Sequence, residues 1–132
     1  MNFRKIQLSL GTGIILGKDE KGNDYLMNDF KGKENVILHT VSPGSPFGVI
    51  VPVKEKTKVA KKEIYEAGIY VARYSQDWRD NKKDVNMSVF TGKDISKPGS
   101  AKAGLWNVKS GKTKTVVIKK KDILKLVEKN SS

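Results

Sequence analysis

The chain contains no cysteine, so neither a disulfide nor a thiolate metal site can contribute to it. Histidine is almost as scarce. His39 is the only one, which leaves any metal site to scattered carboxylates and any serine nucleophile to one candidate base. The sole catalytic combination is His39 with Ser42 or Ser45 in the following turn, oriented by Asp29 or Asp77, and no nucleophile-elbow spacing accompanies it. A lone His inside "VILHTV" reads as a packed strand residue, and the expectation is a non-enzymatic protein without cofactor. No long apolar run is present either. The N-terminal "MNFRKIQLSLGTGIILG" is apolar in two short pieces divided by glycine and threonine, unlike a signal-peptide core or a membrane span of about 20 residues. A cytoplasmic location is the default expectation. The glycine pieces "GTG" and "PGS" lack the G-x-x-x-x-G-K-[ST] frame of a nucleotide-binding loop.

What the chain has in excess is positive charge. Its 132 residues carry 26 Lys and Arg against 14 Asp and Glu, a net charge of +12, and a polyanionic partner is the first inference. Residues 93–129 alone hold 11 lysines and 3 acids, so the C-terminal third is the basic end. Only Arg4, Arg73 and Arg79 are arginines. Lysine offers a mobile point charge rather than a planar fork, which favours phosphate-directed binding with little sequence specificity. Base composition of the genome or heat adaptation would enrich lysine without any such role.

The length suits a single domain, expected over residues 1–128 with a frayed tail at 129–132. "FRKIQLSL" and "GIILG" predict an N-terminal hairpin turning at residues 11–13, "KDEKGND" a polar turn, and "YLMNDF" a short helical or irregular segment. "NVILHTV" and "FGVIVPV" are strands around the "SPGSP" turn. In "KTKVAKKEIYEAGIYVARYSQDWRDNKK", Ile64, Ala67, Val71, Ser75 and Trp78 share one face and predict one amphipathic helix of about five turns. Gly68 within it costs roughly 1 kcal/mol against alanine, which a close approach to the sheet would offset. The mixed charge of its polar face argues against membrane binding. "DVNMSVF" alternates as a half-buried strand, "LWNVK" and "TKTVVIK" predict a hairpin around residues 110–112, and Asp122 is placed to cap a short helix, "DILKLVEKN". The expected fold is α+β: a mostly antiparallel sheet of about six strands packed on one long amphipathic helix, with a short C-terminal helix.

Two basic stretches are candidates for anion contact. In "ISKPGSAKAGLW", Lys97 and Lys102 sit in a segment too rich in glycine and proline to be helical, beside Trp106. It suits a solvated loop with Trp106 in the core as well as it suits an anion-binding surface with Trp106 against a base. In "KTKTVVIKKK", Lys112 and Lys114 share a strand face, fit for phosphate contact or for a charged edge that resists aggregation.

Taken in order, "LGKDEKGNDYL", "NVILHTVSPGSPFGVI", "EAGIYVARYSQDWR", "VNMSVF" and "SKPGSAKAGLW" resemble the NFACT RNA-binding domain. Gly17, Lys18, Asn23, Asp24 and Leu26 fall at its first motif, His39 with Pro43, Gly44 and Ser45 at its second, and Lys97, Pro98 and Gly104 at its third. The departures gather in the second motif: Asn35 replaces an aspartate, Ile37 and Leu38 replace aromatics, Pro46 replaces a second histidine, and the loop is one residue shorter. The resemblance implies RNA binding, with Lys18, His39, Gly44 and Ser45 on one contact edge and Lys97, Lys102, Lys112 and Lys114 on phosphates. In the large members it implies recognition of transfer RNA on a large ribosomal subunit that carries a stalled nascent chain. Their N-terminal, helix-hairpin-helix and coiled-coil parts have no counterpart in these residues, so a stand-alone member is expected. The alternatives are a protein-interaction adaptor on a ribosome-associated partner and a general nucleic-acid binder that also takes DNA; no membrane and no small-molecule substrate are expected.

Overall fold

A computed structural model of the chain describes residues 3–52, 58–97, 105–109 and 111–131, the side chains of the last two excepted. Its centre is a six-stranded sheet of β1 (Phe3–Gln7), β2 (Gly13–Gly17), β3 (Val36–Thr40), β4 (Gly48–Val51), β5 (Val85–Thr91) and β8 (Lys114–Ile118). The spatial order is β1-β2-β4-β3-β5-β8, and every neighbouring pair is antiparallel. Two short strands, β6 (Ile95–Ser96) and β7 (Asn107–Val108), form a separate ribbon. The helices are α1 (Glu20–Phe30), α2 (Lys61–Arg73), α3 (Gln76–Asn81) and α4 (Lys120–Ser131).

Both faces of the sheet are covered, which explains why "GIILG", "NVILHTV" and "FGVIVPV" are solid apolar runs rather than alternating ones. Ile14, Leu16, Leu38, Ile50, Met87 and Ile118 point to one side, where Ala67 and Val71 of α2 and Ile123 of α4 close the first core. Their strand neighbours Ile37, Val49 and Phe90 point to the other, where Leu26 and Met27 of α1 and Trp106 close the second. At Gly68 a Cβ would stand 2.6 Å from Cδ1 of Ile118, so the mid-helix glycine does permit the close helix–sheet approach expected of it.

Four local expectations are corrected. The single long helix is two shorter ones, broken at Tyr74–Ser75: the Ser75 hydroxyl donates to Ala72 O at 2.7 Å and accepts from Trp78 N, while Gln76 N is diverted to Gly44 O at 2.8 Å. A loop from elsewhere in the fold thus takes a donor the helix would need, and a serine cap restarts the chain in a new direction. The polar turn before α1 is the helix itself, which begins at Glu20 because Asp19 accepts from Gly22 N at 2.6 Å. The predicted hairpin around residue 111 does not form: β7 pairs with β6 and β8 pairs with β5, because Val116 and Ile118 find burial in the first core against α2 rather than against "LWNVK". Helix α4 starts two residues before Asp122, and Asp84 from the neighbouring connection accepts from Lys120 N. Asp122 instead accepts from the Tyr65 hydroxyl at 2.6 Å, tying α4 to α2.

Candidate functional site

The end of β2, the turn after β3 and the break between α2 and α3 meet around a cleft of about 340 Å³. Gly17 makes the meeting possible: a Cβ there would overlap the Asn23 amide oxygen and stand 2.9 Å from its backbone nitrogen. Asn23, buried in α1, uses that oxygen to accept from Phe47 N at 3.0 Å and so clamps the helix to the turn. The turn has its own internal frame. Gly44 adopts φ 87°, the left-handed region glycine enters without strain. The Ser45 hydroxyl accepts from Thr40 N at 3.1 Å and donates to Pro46 O at 3.0 Å.

Lys18, Gly44 and Ser45, singled out from the sequence, therefore line one cleft. They are joined there by Arg4, Tyr74, Gln76 and Arg79, to which the sequence motifs assign no role. The Arg4 guanidinium lies 4.0 Å from the Tyr74 ring centroid and Arg73 lies 5.2 Å from the same ring. Asp19 and Glu20 also line the cleft, but the Asp19 carboxylate is engaged as the cap of α1. The available signal for the missed residues was scarcity: three arginines among 26 cations, two of them within the quoted stretch "EAGIYVARYSQDWR".

The remaining candidates are placed elsewhere. The His39 ring packs on Phe47, centroids 4.3 Å apart, and lines a second cleft of about 270 Å³ with Ser88, Phe90 and Trp106. A carbonyl can only accept, so its Nδ1–H donates to Thr40 O at 2.8 Å. Lys97 is bound to Asp24 at 2.8 Å, and the Trp106 indole N–H donates to the same carboxylate at 2.9 Å. Trp106 thus belongs to the second core. Lys112 and Lys114 are exposed, the latter on β8 at the opposite edge of the sheet from β1 and Arg4, and Lys112 lies outside the strand. Lys102, Pro98 and Gly104 lie outside the described residues.

Burial pushes the His39 imidazole below its ordinary value of 6.5, against the opposing pull of the Thr40 and Ser45 backbone. With the folded value depressed, the unfolded chain takes up the proton first as pH falls. The contribution of His39 is therefore intact above 6.5 and is lost as pH drops through the folded value. His39 is the only histidine, so His39→Gln should flatten the fall in melting temperature between about pH 7 and pH 5. Thermal scans of both proteins across that window check this, and identical slopes would contradict it.

Comparison with solved structures finds the same fold in the C-terminal part of the fibronectin/fibrinogen-binding protein from Streptococcus suis. The TM-score is 0.75 at 20% sequence identity, over 95% of this chain and 49% of that one. This chain thus spans about half the length of that structure. A comparison with curated proteins finds no match. The family model described as "NFACT protein RNA binding domain" matches residues 2–110. The cleft-lining Lys18, Gly44 and Ser45, the Asn23 clamp and the Lys97–Asp24 pair all fall within that span, and the chain belongs to the NFACT RNA-binding domain family.

Proposed function

We propose that this chain is a non-enzymatic RNA-binding module that holds transfer RNA or ribosomal RNA chiefly through its phosphates. The observation that carries the reading is the convergence of Lys18, the left-handed turn at Gly44 and the side chains of Arg4 and Arg79 on one cleft, in a family described by RNA binding. Cations and a turn framed by exposed backbone suit phosphate oxygens. The outlying lysines, Lys112 and Lys114 among them, add a diffuse field that steers a polyanion toward the protein. A cytoplasmic place on the large ribosomal subunit, in the handling of stalled nascent chains, is the biological setting we propose for it.

Filter binding to transfer RNA, single-stranded RNA and duplex DNA at several salt concentrations tests the reading. Affinity should fall steeply with salt, and Lys18→Ala should weaken binding to every RNA alike while lowering the log–log salt slope by roughly 1. Salt-insensitive binding would sink the proposal, and equal affinity for duplex DNA would reduce it to a general nucleic-acid grip.

A second reading, an adaptor that docks on a ribosome-associated protein, draws support from the exposed side chains of Val41 and Leu105, 56% and 54% accessible, at the His39 cleft. Excess transfer RNA should displace the protein from ribosomes under the first reading and leave it in place under the second.

A further inference from the structure

The three arginines of the chain lie 69 and 6 residues apart in sequence (Arg4, Arg73, Arg79), yet the fold gathers them at the corner between α2 and α3. Arg4 crosses from the edge strand to cover Tyr74 at 4.0 Å, and Arg73 approaches the same ring at 5.2 Å. Arg79 lines the main cleft with Arg4 and shares with Arg73 an adjoining hollow of about 220 Å³, where Lys82 also stands.

This gathering forms few direct ion pairs, although Asp19 and Glu20 also line the cleft. Among the described residues the one ion pair these arginines form is Arg79 with its sequence neighbour Asp80, at 3.1 Å and well exposed, an arrangement worth little. The Nε of Arg73 is buried without a hydrogen-bond partner. Bringing three guanidinium groups to one corner costs mutual repulsion, and an unsatisfied buried donor adds to the cost. An anion at the corner would relieve the repulsion. The contact with Tyr74 engages a ring rather than a hydrogen-bond acceptor, so it consumes none of the Arg4 N–H donors that a planar, two-pronged partner would take.

We propose that the α2–α3 corner is a guanidinium-forked phosphate site, in which Arg4 and Arg79 from the cleft side and Arg73 from behind grip one phosphate group of a bound RNA. The inference rests on the RNA-binding reading and deepens it: lysines supply the general field, and the few arginines mark the position where phosphate geometry matters. The phosphate is either the terminal monoester of an RNA end or an internal diester, and both present the oxygen pairs that a guanidinium fork matches.

Charge-conserving variants of the full-length chain test it, with equilibrium binding measured on one RNA sequence bearing either a 5′-phosphate or a 5′-hydroxyl. Arg79→Lys keeps the charge on an exposed side chain and should leave melting temperature unchanged while weakening binding by about tenfold, with the salt slope preserved. Arg4→Lys should weaken binding likewise. A preference for the 5′-phosphate that disappears in Arg79→Lys assigns the site to an RNA end; an equal loss on both RNAs assigns it to an internal phosphodiester. Full retention of affinity in both arginine-to-lysine variants would overturn the forked site while the RNA-binding reading stood. Absence of RNA binding by the wild-type chain would overturn both.

Discussion

Replacing Gly92 with alanine should lower the free energy of unfolding by about 3 kcal/mol, near the upper end for overpacking and a large fraction of the stability of a domain of this size. Gly92 follows β5 at the point where the loop after α1 passes over it. Its N–H donates to Asn35 O at 3.2 Å and its carbonyl accepts from Gly32 N at 2.8 Å. A Cβ at this position would overlap the Phe30 carbonyl oxygen and stand 2.7 Å from that of Lys33. The obstructing atoms are backbone, so no rotamer change can clear them, and the α1 loop must separate from the sheet. Gly32 provides the control. It has φ 84° but nothing within 4 Å of the place a Cβ would occupy, so Gly32→Ala should cost only about 1 kcal/mol for its left-handed backbone. Urea unfolding of the two variants decides the matter: equal losses would show that backbone conformation, not crowding, governs both positions.

Trp106→Ala should cost about 4 kcal/mol, the usual scale for deleting a buried aromatic ring. The indole is 9% exposed and packs in the second core with Leu26, Ile37 and Phe90. Its N–H binds Asp24, which also holds Lys97. Trp106→Phe retains most of the apolar burial and removes only the N–H, while Lys97 still satisfies the carboxylate, so this variant should lose about 1 kcal/mol. The gap between the two separates packing from hydrogen bonding. Similar losses in both would mean that the Asp24 bond, rather than the ring, anchors the segment. Because Lys97 belongs to the same cluster, any loss of RNA affinity in a Lys97 variant has to be read beside its melting curve.

Much of the fold was legible because burial leaves a mark in residue order. The apolar runs of β2, β3 and β4 and the alternation in "DVNMSVF" announced their strands, and Gly68 announced a helix held close to a sheet. What failed was decided by partners remote in sequence. The break at Tyr74–Ser75 depends on Gly44 O taking the Gln76 N–H, and no periodicity within the helix reports that. The pairing of β8 with β5 rather than with β7 depends on which apolar surface lies within reach, a choice among non-local alternatives. Asp122 has the residue type of a cap, yet Asp84 performs the capping because the chain brings it there.

The candidate site divides in the same way. Composition alone determined the positive charge, the absence of thiol chemistry and the single titrating imidazole, since these are sums over residues that no fold can alter. The family resemblance, carried by motif order, brought Lys18, Gly44 and Ser45 into consideration together. Only the tertiary structure decided that Lys97 faces Asp24, that Trp106 is core, and that Arg4, Arg73 and Arg79 share one corner. The physical reason is range: propensity, capping and turn chemistry act over a few neighbouring residues, whereas a binding site is made of side chains that meet only after the sheet has formed and its two faces have been covered.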